Sequence, residues 1–137
     1  MVDLLKNFMR GKRSGIKLGL ASKSHDPSIK FVEFNIIQDI ILPLNNSNNV
    51  NYVQISRQII AEFVKFVHNN YFVVLEDDND LHYQAIAALT QKDVIILGDF
   101  DLDNNNYRIC FASHNGDVEA HKMYFYQYFK DLAKKYF

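Results

Sequence analysis

Residues 93–112, DVIILGDFDLDNNNYRICFA, read as two β-strands joined by an asparagine turn, and the rest of the chain is laid out around them. Asparagine tolerates the positive φ of a two-residue hairpin turn, so Asn104-Asn105 is the expected turn and the register follows by counting outward. Asp103 then faces Asn106, Leu102 faces Tyr107, Asp101 faces Arg108, Phe100 faces Ile109, Asp99 faces Cys110 and Gly98 faces Phe111. Strand side chains alternate with period two, so one face carries Val94, Ile96, Gly98, Phe100 and Leu102 against Tyr107, Ile109 and Phe111, an apolar set that belongs in a core. The opposite face is divided. Ile95 and Leu97 lie with Cys110 and Ala112 at one end, and Asp99, Asp101 and Asp103 lie with Arg108 toward the turn. A slip of one residue would carry the aspartates into the core, which specifies the register strongly.

Downstream, His114-Asn115-Gly116 turns the chain and Asp117 is placed to cap a long last helix. Val118, Phe125, Phe129, Leu132 and Tyr136 form its apolar stripe; Glu119 near its start and Lys130, Lys134 and Lys135 near its end complement the helix dipole. Upstream, Leu81 to Thr90 reads as a strand, Glu76 to Asp80 as an acidic turn and Tyr71 to Leu75 as a short strand. Ile59, Ile60, Phe63, Val64 and Val67 make one face of an earlier helix, stopped by Asn69-Asn70. That helix has two possible starts: Asn51 as N-cap, or Ser56 as N-cap after a strand from Val50 to Ile55. The run from Ile29 to Leu42 alternates like a strand, then changes parity near Ile36-Ile37, which suggests a bulge or two strand pieces ending at Pro43.

Strands linked by hairpins, with helices before and after, argue for an α+β fold: an antiparallel four- to six-stranded sheet with helices packed on one face. The order of elements is similar to that of TATA-binding-protein-like folds and, with the extra strand, approaches profilin-like or longin-like domains. The likeness is one of element order and rests on no sequence motif.

A net charge of −1 hides an asymmetry. Residues 1–30 hold seven lysines and arginines against two aspartates, a net of +5, which leaves −6 for residues 31–137. The chain thus divides into a basic N-terminal segment, residues 1–28, and a single α+β domain, residues 29–137. In the segment, Leu4, Leu5, Phe8 and Met9 fall at helical spacing, so either their stripe docks on the domain or the basic residues act as an arm. The arm would be Lys6, Arg10, Lys12, Arg13 and Lys17, suited to nucleic-acid phosphates. One cysteine allows no intramolecular disulfide, and no apolar run approaches the ~20 residues of a membrane span, so the expected setting is cytoplasmic.

No nucleophile elbow, phosphate loop, dinucleotide fingerprint or zinc-ligand spacing occurs among these residues, so neither a cofactor nor catalysis is expected. Asp99, Asp101 and Asp103 on one strand face are the weak candidates for a hard cation, although DFDLDNNN lacks the glycine and distal glutamate of a calcium loop. The meander brings the acidic turns to one end of the sheet, where the last helix, about 30 Å long, should deliver Lys130, Lys134 and Lys135. The strongest functional signal is aromatic. Tyr124 and Tyr128 lie beside the apolar stripe of the last helix, and large aromatics are favoured at protein interfaces. The expectation is a non-catalytic interaction protein of the adaptor, secretion-chaperone-like or immunity type. It would bind a protein partner or a second copy through Tyr124 and Tyr128, or through the sheet face at Ile95 and Leu97.

Overall fold

Alternating apolar residues pair the strands around Phe100 and Tyr107, and the neighbouring segments pack around that pair. In the computed structural model, which describes residues 4–5, 8–10, 19–20, 26–45, 51–80 and 82–137, two short strands come first: β1 (Met9–Arg10) and β2 (Gly19–Leu20). They are followed by β3 (Lys30–Asn35), a π-helical segment (Ile37–Ile41), α1 (Leu42–Leu44) and α2 (Tyr52–Asn70). Strands β4 (Phe72–Asp80), β5 (Tyr83–Leu89), β6 (Ile95–Asp101) and β7 (Asn106–Ser113) lead to α3 (Val118–Lys134). Strands β3 to β7 form one antiparallel sheet in the order β3-β7-β6-β5-β4, and β1 pairs with β2. The π-helical segment, α2 and α3 pack on one face of the large sheet, which makes the fold α+β as expected.

The hairpin keeps its expected faces with a register displaced by two residues. Asp101 pairs with Asn106, Phe100 with Tyr107, Asp99 with Arg108 and Leu97 with Cys110. The connection is therefore the four residues 102–105. Only Asn105 takes a positive φ, 51°, where a two-residue turn would need it at Asn104 as well. The Asp101 carboxylate accepts from the Asn104 backbone N–H at 3.4 Å and from its side-chain amide at 2.8 Å, and so holds the wider loop. A displacement of two leaves every side chain on its own face, which explains why the core assignment survives the error.

Two other expectations are corrected. The change of parity after Ile36 marks a switch from strand to helix rather than a bulge or a second strand piece: Ile37–Ile41 is π-helical, with Ile37, Ile40 and Ile41 buried. Asn35 starts this helix by accepting from the N–H groups of Ile37 (3.0 Å) and Gln38 (3.2 Å), while the Asp39 carboxylate accepts from the Asn35 N–H at 2.8 Å. That reciprocal arrangement satisfies donors a helix start leaves open. Residues Glu76 to Asp80 continue β4 instead of turning. Strand β4 lies at the sheet edge, where charged residues discourage further pairing. Helix α2 starts at the Asn51 cap, whose side chain accepts from the Gln54 N–H at 3.3 Å, and Val53 to Ile55 are helical, so the alternative strand does not form.

Aromatic rings fill the space between sheet and helices. Phe63 of α2 meets Phe100 of β6 edge-on at 6.0 Å and Phe129 of α3 at 5.0 Å, and Phe34 of β3 meets Phe111 and Phe129. A Cβ on Gly98 would stand 2.7 Å from the Phe100 ring, so the glycine is what lets this ring lie over its own strand. Burying such side chains stabilises by roughly 1.5–3 kcal/mol each.

The second sheet face is also covered. Ile95, Leu97, Cys110 and Ala112 are fully buried and cluster with Leu4, Leu5 and Phe8, and Phe8 stacks on Phe31 of β3 at 5.0 Å. The apolar stripe of the N-terminal segment thus docks on the sheet, the first of its two expected readings. Beside this cluster, Asp99 accepts from the Tyr83 hydroxyl at 2.5 Å and from Arg108 at 3.0 Å, with Glu33 3.8 Å from Arg108.

Candidate protein interface

Helices α2 and α3 lie side by side because each presents an aromatic stripe to the other and to the sheet. Phe66 of α2 packs on Tyr128 of α3 at 4.9 Å and on Phe125 at 6.1 Å, and Tyr136 donates to Glu62 at 3.4 Å near the other end of the contact. Between the helices runs a groove of about 660 Å³. Phe66, Tyr128 and Leu132 form its floor, and Glu62, Lys65, Asp131 and Lys135 alternate in sign around its rim. Tyr124 stands at one end, 55% exposed, and also borders a second depression that reaches Tyr71, Lys92 and His121. Met123, next to it, is 71% exposed. Burial pushes the Tyr128 phenol up to about 12, with the Glu62 carboxylate adding to the effect, so this hydroxyl is neutral at physiological pH.

The four interface residues expected from the sequence therefore part company. Tyr124 is exposed and Tyr128 is half-buried in the groove floor, so they share one surface. Ile95 and Leu97 are each 0% exposed beneath Leu4, Leu5 and Phe8, and form core rather than surface. The alternation of β6 marked them as apolar on the second face and could not say that the N-terminal segment covers it. Phe66, Glu62 and Asp131 join the site without having been singled out. Their signal was spacing: Asp131 lies three residues after Tyr128 on α3, and Glu62 and Phe66 lie four apart on α2.

The three aspartates do not converge on a cation. Asp99 faces Arg108 and Tyr83, Asp101 holds Asn104, and Asp103, which sits in the loop rather than on the strand, lies 2.9 Å from His82 Nδ1. Among the described residues no three His, Cys, Asp or Glu side chains gather as a metal site. Cys110 is buried, and burial first, then the Glu33 and Asp99 carboxylates, push its thiol up, against the opposing pull of Arg108. A thiol held neutral in this way is a packing group and a poor nucleophile. The lysines at 130, 134 and 135 form no ion pair with the acidic end among the described residues, where Arg108, His68 and His82 supply the partners. Of the basic arm, Lys6, Lys12, Arg13, Lys17 and the Arg10 side chain lie outside the described residues. Among the described residues no helix is long and apolar enough to cross a membrane. No family model, curated protein or solved structure matches the chain.

Proposed function

We propose that this chain is a non-catalytic interaction module that binds protein through the α2–α3 surface around Tyr124. The observation that carries the reading is the exposure of Met123 (71%) and Tyr124 (55%) beside a groove with an aromatic floor. Large side chains left in water next to a concave apolar surface are the arrangement a partner's anchor residues fill. Its chemistry agrees: the floor offers area, the rim offers charges of both signs, and the Tyr124 and Tyr128 hydroxyls offer hydrogen bonds.

Site-specific photocrosslinking in native cells tests this reading. A photoreactive side chain at position 124 should trap protein, whereas the same group at Asn104, exposed in the β6–β7 loop, should not. Equal trapping at the two positions, or none at 124, would refute it.

A further inference from the structure

We infer that the surface around Tyr124 is occupied by α3 of a second copy of this chain, laid antiparallel across a two-fold axis through Gln127. This rests on the reading of that surface as a protein interface and names its partner. Residues Ala120, Tyr124, Gln127, Asp131 and Lys134 are all exposed and recur along α3 at alternating intervals of four and three. That interval draws one seam along a helix and suits it to pack against another helix at a shallow angle. The opposite side of α3 is already used, since Val118, Phe125, Phe129, Leu132 and Ala133 are buried against the sheet and α2.

Charge selects both the occupant and its direction. The seam starts beside Asp117 and Glu119 and ends beside Lys134 and Lys135. Two parallel copies would bring the lysines together, whereas antiparallel copies bring each acidic start to a basic end and also oppose the helix dipoles. With the axis at Gln127, helical geometry brings Glu119 level with Lys135 of the second copy and within about 1.5 Å along the axis of its Lys134, and brings Asp117 within about 3 Å along the axis of Lys135 of the second copy. Tyr124 comes within about 1.5 Å along the axis of Asp131 of the second copy, where its hydroxyl can donate to a carboxylate that within one chain accepts from the Gln127 amide at 2.8 Å. Each contact occurs twice, as a two-fold axis demands. The sequence of this one helix is therefore complementary to itself.

The test uses the purified full-length chain in sedimentation equilibrium. The wild type should show a reversible dimer, and Tyr124→Glu should weaken it by roughly thirtyfold, the loss expected of a central aromatic anchor. Glu119→Lys and Lys134→Glu each place like charges opposite one another and should each weaken self-association by about tenfold. Mixing the Glu119→Lys chain with the Lys134→Glu chain should restore association as a heterodimer, because both contacts then pair unlike charges. Circular dichroism and melting temperatures that match the wild type establish that the three exposed substitutions leave the fold intact. A monomeric wild type overturns the inference, as does a dimer indifferent to Tyr124→Glu, or a mixture that fails to recover. A monomer whose position 124 still crosslinks to another polypeptide refutes self-association alone; a monomer that crosslinks to nothing there refutes the interface reading as well.

Discussion

Replacing Asp99 by leucine should destabilise the chain by about 4 kcal/mol, because it removes one half of a buried ion pair and takes the nearest countercharge from the other. The Asp99 side chain is 5% exposed and that of Arg108 11%, at a separation of 3.0 Å, and the same carboxylate accepts the Tyr83 hydroxyl at 2.5 Å. Glu33, 3.8 Å from Arg108 and 37% exposed, is too distant and too well hydrated to replace it. Arg108→Met should cost a similar amount, since a buried carboxylate then loses its countercharge and keeps the Tyr83 hydroxyl. The double variant should cost only about 2 kcal/mol, because both charges then leave the buried site together. Urea unfolding of the four proteins measures the cycle; for a chain of this length the single variants should melt about 12 °C lower. A coupling energy below about 1 kcal/mol would mean that water reaches the pair, and would refute the account of the second sheet face as buried.

Three further outcomes follow from the packing. Alkylation of Cys110 in the native chain should be slow, because burial holds the thiol neutral, and Phe8→Asp, which breaks the cover over that face, should accelerate it more than about tenfold; labelling of the wild type at the rate of a free thiol would contradict this. Tyr128 is raised on folding, so its contribution to stability is present below its unfolded value of about 10 and is lost as the pH rises to about 12; Tyr128→Phe should flatten the fall in melting temperature over that range, and an unaltered alkaline limb would contradict it. Asn35→Ala should cost about 1 kcal/mol by removing the acceptor for the Ile37 and Gln38 N–H groups, measured by denaturant midpoint, with no change meaning that water caps the π-helical segment equally well.

Much of the candidate interface was legible. Tyr124 and Tyr128 stand out because they add aromatic bulk to a helix whose apolar stripe is already complete. The charge polarity of α3 is visible as a string of residues. Ile95 and Leu97 were misjudged for a physical reason: an apolar strand face must be covered by something, and periodicity does not name the cover.

The sequence alone determined what depends on neighbours along the chain. The Asn51 and Asp117 caps, the α2 and α3 stripes and the division of residues 93–112 into two faces are of this kind. The start of the helical segment at Asn35 is equally local, through the return contact from Asp39, although the alternation before it reads as a bulge. Tertiary structure decided the rest. Alternation fixes a strand's register only to within steps of two, so the pairing of Asp99 with Arg108 awaited the loop that Asp101 closes. The continuation of β4 through its acidic residues depended on β5 beside it, which returns hydrogen bonds that no local signal promises. Phe8 reached Phe31, and Phe66 reached Tyr128, across distances in sequence that burial spans and periodicity does not, because apolar surface seeks cover without specifying which residue provides it.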